Sequence, residues 1–289
     1  MQANTILFPT DFSACSLNAL KFALNIAETF YSKLILVHVN FVKENEQVDS
    51  VLIKKMRKQK LSDLNDLKLE LLQKNPLLNI TTILLDGVGT SPLMQLVQHE
   101  NADIIILGAK GEGGIKNIGM GSFASEIIEN ALCPVLTIPE GAKQASFQKI
   151  VYASDLEHID VAAIKELTSI ATYYNSEVTI LNISDQNRRF SEDQLFKFEK
   201  LVRETCSYPK LDFIYFHGSD VNYHIQEYLT RNKADLFVLT TLKESLVGNL
   251  LMDKNTQKLG YHSYIPLLAF HESNKCCQQV NQLTYYPKI

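Results

Sequence analysis

Short, nearly continuous apolar runs alternate along this chain with longer stretches of helical periodicity. In the first half the pattern predicts strands at about 4–9, 33–40, 79–85, 103–107 and 134–138, separated by helices at about 14–30, 50–74, 90–100 and 122–131. Runs such as "DIIIL" and "LILVHV" lack in/out alternation, as strands of a parallel sheet covered on both faces do. Five such strands with interleaved helices make a doubly wound, Rossmann-like α/β domain.

The pattern then repeats. "NADIIILGAKGEGGIKNIGMGSFASEIIENALCPVLTIPE" (101–140) lies without a gap on "KADLFVLTTLKESLVGNLLMDKNTQKLGYHSYIPLLAFHE" (233–272), with Asp103 on Asp235 and Pro134 on Pro266 at an offset of 132. Nearer the start of each half, "LFPTDFS" (7–13) matches "VYASDLE" (151–157) and "KLILVHVN" (33–40) matches "EVTILNIS" (177–184), both at 144. The difference, 12 residues, is lost from the second half between its second and fourth strands. The expected organisation is therefore two tandem five-stranded domains, 1–142 and 148–272, followed by a tail, 273–289, that departs from the repeat.

Composition narrows the function. With 46% hydrophobic and 21% charged residues the 289-residue chain is ordinary globular protein, and its net charge of −4 provides no field for nucleic acid or anionic membrane. The basic stretch "IKKMRKQK" (53–60) reads as the solvated start of a helix. The N-terminal residues lack the pattern of a secretory signal, and no apolar run approaches a membrane span. Five scattered cysteines, including the adjacent Cys276 and Cys277, form no disulfide framework, so the expected location is the cytoplasm.

In doubly wound sheets ligands sit beyond the carboxyl ends of the strands, where the strand order reverses. Three junctions qualify: Thr10 and Asp11 after the first strand, His38 to Asn40 after the second, and "GAKGEGGIKNIGMGS" (108–122) after the fourth. Six glycines there let backbone N–H groups approach an anion, and the helix that follows adds its unpaired N-terminal donors. Ser122 stands where it can cap that helix or turn its hydroxyl to a phosphate. A plain flexible connection has a similar composition, and neither the G-x-x-x-x-G-K-[ST] nor the G-x-G-x-x-G motif occurs.

The spacing Gly108-x2-Gly111-x9-Gly121-Ser122 resembles the G-x2-G-x9-G-[ST] pattern of the ATP-binding branch of the universal stress protein family. "FPTDFS" resembles that family's first strand and aspartate, "NALCPVLTIP" its last helix and strand, and with the repeat the similarity covers about 4–140 and 150–272. The resemblance implies an adenine nucleotide alpha hydrolase-like fold holding ATP with Mg²⁺. Thr10 and Asp11 would lie near the ribose and metal, and backbone at Val37, His38 and Val39 near the adenine. Gly108, Gly111, Gly121, Ser122 and Phe123 would hold the phosphates, with Lys110 as an added charge. It also implies pairing of the two domains about a pseudo-twofold axis through the final strands "PVLTIP" and "IPLLAF", and a homodimer.

The second half has Thr240, Lys243, Asp253 and Lys254 in place of Gly108, Gly111, Gly121 and Ser122, which suits the fold without the nucleotide. It nevertheless keeps Asp155 at the position of Asp11, so both aspartates are expected to serve partly as helix N-caps. The histidines show no zinc-site spacing, His38 is expected to be a satisfied core residue, and there is no Gly-x-Ser-x-Gly elbow. No catalytic residue is assigned. The expected function is an ATP-binding stress-response regulator, the alternatives being a partner-binding protein with an empty loop and a slow ATPase.

Overall fold

In the computed structural model the apolar runs of the first half are Thr5–Pro9 (β1), Lys33–Phe41 (β2), Asn79–Gly87 (β3), Ile104–Gly108 (β4) and Val135–Ile138 (β5). Between them lie Ala14–Phe30 (α1), Ser50–Lys74 (α2), Ser91–His99 (α3) and Ser122–Asn130 (α4). The structure describes residues 3–41, 50–111, 120–143, 146–184, 190–241, 264–271 and 274. The chain divides into two compact units, the first built on Gln2–Lys116 and Met120–Glu140, the second on Gly141–Ile289.

In the first unit the strands lie in the order β3-β2-β1-β4-β5, all parallel. The order reverses between β1 and β4, which makes the carboxyl ends of these two strands the switch point. Ile6, Leu7 and Phe8 of β1, and Leu34 to Val37 of β2, are fully buried. Burial of each such large apolar side chain contributes about 1.5–3 kcal/mol, so the central strands are rigid supports for the turns at their ends.

The second unit contains Lys149–Ala153 (β6), His158–Tyr174 (α5), Glu177–Ser184 (β7), Glu192–Thr205 (α6), Leu211–His217 (β8), Val221–Arg231 (α7), Leu236–Thr241 (β9) and Leu267–His271 (β10). Its strands are ordered β10-β9-β6-β7-β8, again all parallel. Both units are thus doubly wound five-stranded α/β domains, as the sequence pattern predicts.

The repeat extends to backbone detail. Left-handed residues recur at matching positions: Phe12 and Leu156 (φ 66° and 60°), Tyr31 and Asn175 (both 54°), Asn101 and Lys233 (49° and 54°). Asp103 accepts from the Thr5 N–H at the foot of β1, and Asp235 accepts from the Gln148 and Lys149 N–H groups at the foot of β6. The second half's missing residues are now placed. Helix α2 has 25 residues and its counterpart α6 has 14, so the shortening falls almost wholly in the helix between the second and third strands.

Candidate functional site

Beyond β1 the chain turns sharply. Thr10 is buried, its N–H donates to the Val37 carbonyl at 2.8 Å, and its hydroxyl accepts from Ser16 Oγ at 2.8 Å and from the Phe12 N–H at 3.1 Å. These bonds hold Phe12 left-handed and leave Asp11 half-exposed at the strand tip. Asp11 Oδ1 accepts from the Ser13 N–H at 3.0 Å, but the N-cap of α1 is Ser13, whose hydroxyl accepts from the Ser16 N–H. The N-cap of α5 is likewise Glu157. The expectation that Asp11 and Asp155 cap these helices is therefore corrected: each lies two residues before the cap, and the left-handed residue between separates it from the first turn.

At the end of β2, Val37 and Val39 are buried and His38 is half-buried. His38 Nδ1 lies 2.7 Å from the Thr10 carbonyl; a carbonyl only accepts, so Nδ1 carries the proton. Burial lowers the pKa of His38, and the charge of Lys60 pushes the same way against the bond to Thr10 and the charges of Asp11 and Asp63, so the neutral ring is favoured. This is a satisfied strand histidine, though not a fully buried one. Its ring lies 5.5 Å from that of Phe12, over which Lys60 Nζ of α2 stands at 5.2 Å. Phe12 and Lys60 have no distinguishing motif; within the basic stretch 53–60 only the fold singles out Lys60.

The three patterned glycines stand in different surroundings. A Cβ on Gly108 would come within 3.0 Å of the Ser16 backbone nitrogen and 3.1 Å of Cys15 Sγ, so this glycine lets β4 end against the first turn of α1. The buried Cys15 thiol donates to the Ile138 carbonyl, and burial raises its pKa. A Cβ on Gly111 would lie 2.9 Å from Asp11 Oδ2, so the strand-1 aspartate and the start of the glycine loop adjoin. Gly121 differs: a Cβ there meets the Ala109 oxygen at 3.5 Å and Lys110 Cα at 3.6 Å, ordinary contacts, and its φ of −77° suits any residue. Among the described residues no contact requires it to be bare.

Gly121 is the N-cap of α4, its N–H donates to the Ala109 carbonyl at 2.8 Å, and as a glycine it supplies no side-chain cap. Ser122 is the first helical residue, exposed, so of the two roles open to it capping falls to Gly121 instead; half-buried Phe123 follows it. Lys110 is half-buried beside Gly121. The loop glycines Gly113, Gly114 and Gly119 lie outside the described residues.

In the second unit the residues behind the corresponding turn form a buried polar network. Tyr152, Ser154, Asp160 and Thr240 stand where the first unit has Phe8, Thr10, Ser16 and Gly108. Tyr152 Oη donates to Asp160 Oδ1 at 2.7 Å and lies 2.6 Å from Thr240 Oγ1; Ser154 Oγ and the Glu157 N–H donate to Asp160 Oδ2 at 2.7 and 3.1 Å. All four side chains are buried, and desolvation pushes the Asp160 carboxyl up to about 6 against its hydrogen bonds to Ser154 and Tyr152. Lys243, Asp253 and Lys254, which complete the substituted loop, lie outside the described residues, as do His262, Cys276 and Cys277. Among the described residues no group of three or more His, Cys, Asp or Glu side chains is arranged to hold a metal ion, and no helix is long and apolar enough to cross a membrane.

Comparison with known proteins bears on this architecture. The model of the universal stress protein family matches residues 3–139. Universal stress protein MJ0531 of Methanocaldococcus jannaschii is 31% identical over 143 residues, spanning 48% of this chain and 84% of that protein. Universal stress protein MJ0577 of the same organism is 25% identical over 152 residues, 46% of this chain and 93% of that protein. A crystal structure of a universal stress protein from Archaeoglobus fulgidus shares the fold over 93% of this chain and 97% of its own, with a TM-score of 0.72 at 16% identity. A putative universal stress protein from Pseudomonas aeruginosa covers 98% of each chain, with a TM-score of 0.64 at 18% identity. With the family model matching residues 3–139 and a 31% identical family member covered over 84% of its length, the chain belongs to the universal stress protein family.

Proposed function

We propose that the chain is a regulatory stress-response module that binds one adenine nucleotide, ATP with Mg²⁺, in its first unit, while the second unit keeps the fold without a nucleotide. The observation that carries this reading is the start of α4: a glycine N-cap that meets only ordinary contacts among the described residues, with Lys110 alongside. The N-terminal N–H groups of a helix, reinforced by the helix dipole, suit phosphate oxygens. Gly111 and Gly121 leave the phosphates room, and Asp11, adjoining Gly111, is placed to face the ribose hydroxyls or a phosphate-bound Mg²⁺.

The one-site stoichiometry rests on the Tyr152–Asp160–Thr240 network. There Thr240, in the place of Gly108, carries a side chain bonded into that buried network, and Lys243, Asp253 and Lys254 stand in the sequence where Gly111, Gly121 and Ser122 would be. The test is to denature the purified protein, identify any released nucleotide, and titrate ATP into wild type and Gly121→Asp. Release of an adenine nucleotide, with ATP affinity lost in Gly121→Asp, supports the reading. Unchanged affinity in the variant overturns the placement of the phosphates, and failure of wild type to bind ATP overturns the function.

A further inference from the structure

Helix α2 lays an apolar stripe on the sheet and then continues past it. Leu64, Leu67 and Leu71 follow one another by a turn on one face, and α6 repeats them as Leu195, Phe198 and Val202, all at an offset of 131. At the same offset Lys60 corresponds to Ser191, the N-cap of α6. The shorter helix therefore begins where α2 still extends from Lys60 back to Ser50, about three further turns. Five of the seven residues 54–60 are basic, the first acidic residue of α2 is Asp63, and Lys54 to Gln59 are exposed.

The stripe changes character at the strand tips. One turn before Leu64 stands Lys60, and one turn before that Arg57. Arg57 is paired with Asp86, the penultimate residue of β3, which also accepts from Asn40 Nδ2 at 3.2 Å. Lys60 is half-buried over the Phe12 ring, just beyond β1. Asp63 accepts from Gln59 Nε2 at 2.8 Å, and among the described residues Lys60 has no ion-pair partner. A cation–π contact on a partly exposed ring is weak beside a bond to a phosphate.

In the strand order β2-β1-β4, Asp11 is at the middle tip. The glycine loop and the start of α4 lie on the β4 side; Lys60 lies on the β2 side, where it and Asp11 act with opposite sign on His38. Across β1, β2 and β4 are about 10 Å apart, a gap that one sugar with a phosphate on either side spans.

We propose that Lys60 is a specificity-determining residue: it receives a second phosphate, carried on the 2′ or 3′ oxygen of the ribose, of an adenine nucleotide whose 5′-phosphate lies at the start of α4. The inference rests on the nucleotide reading above and names the class of nucleotide the site favours. Asp11 alone would select free ribose hydroxyls, because its carboxylate repels a phosphate. A lysine on the next strand's side offsets that repulsion and supplies three donors. The second unit lacks the helix extension and has Ser191 in place of this cation.

Competition against bound ATP by AMP, adenosine 2′,5′-bisphosphate and adenosine 3′,5′-bisphosphate tests this in wild type, Lys60→Gln and Lys54→Gln. In wild type one of the bisphosphates is expected to bind about tenfold or more tighter than AMP, the scale of a charge-assisted hydrogen bond. Lys60→Gln is expected to bring that ratio to about one while AMP affinity stays within about threefold of wild type, which also shows that the variant is folded. Lys54→Gln removes one charge from the exposed part of the same helix and is expected to change the ratio by less than about twofold. Equal binding of AMP and both bisphosphates to wild type overturns the inference, as does a preference that survives Lys60→Gln or is lost equally in Lys54→Gln. Failure of wild type to bind ATP overturns the nucleotide reading, and the inference with it.

Discussion

Ionisation of Asp160 inside the second unit has a calculable effect on stability. Its carboxyl is buried, and its ionised form is stabilised only by Tyr152, Ser154 and the Glu157 N–H, with the charge of Asp155 opposing it. The carboxyl is raised from its ordinary 3.8 to about 6, so the folded state holds the proton more tightly than the unfolded state. The contribution of this group to stability is therefore greatest below about pH 4, is lost as the pH rises through about 6, and is constant beyond. At about 1.4 kcal/mol per pH unit, the interval corresponds to about 3 kcal/mol. Asp160→Asn removes the titration while keeping a group that both donates and accepts among hydroxyls that can reverse their roles. Urea denaturation of wild type and variant between about pH 4 and pH 7.5, with hydrogen exchange of β6 and β9 identifying the second unit's transition, gives the difference in stability at each pH. That difference is expected to shift by about 3 kcal/mol in favour of Asp160→Asn from the acid to the neutral end. A pH-independent difference would refute the claim that an ionised carboxylate is confined in this network.

Other substitutions test the first unit. Gly108→Thr copies the second unit into a place where a Cβ would lie 3.0 Å from the α1 backbone, and is expected to cost about 1–3 kcal/mol in chemical denaturation as β4 and α1 separate. Gly111→Ala sets a methyl 2.9 Å from Asp11 Oδ2 on an exposed residue, so ATP affinity is expected to fall with little change in melting temperature. Ser13→Ala removes the cap of α1 and is expected to cost about 1 kcal/mol, with Asp11→Ala costing less; the reverse order would return the capping role to the aspartate.

Much of the fold is legible in the sequence because its strands are apolar on both faces and its helices periodic; even the 17-residue α1 and α5 recur at the predicted offset. Local detail at the switch point is not. In "TDFS" both Asp11 and Ser13 are good cap residues, and only the left-handed turn at Phe12 decides that Ser13 takes the role. The polar network joins Tyr152 to Thr240 across 88 positions, and Tyr152 reads in sequence as one more strand aromatic. His38 looks like a core histidine because its partner is a backbone carbonyl, which leaves no trace in the pattern. The glycine spacing was legible, but not the separate reasons for its members: Gly108 for packing against α1, Gly111 for space beside Asp11, and Gly121 for neither.

That distinction makes Gly121→Asp the most direct test of a single nucleotide site at the start of α4. The backbone at Gly121 accepts any residue, and aspartate is a favoured N-cap, so the variant is expected to fold at least as stably as wild type. Equilibrium dialysis with ATP and Mg²⁺ should give one nucleotide per wild-type chain and none per Gly121→Asp chain. Two nucleotides bound to wild type, or one still bound to the variant with unchanged affinity, would contradict the account.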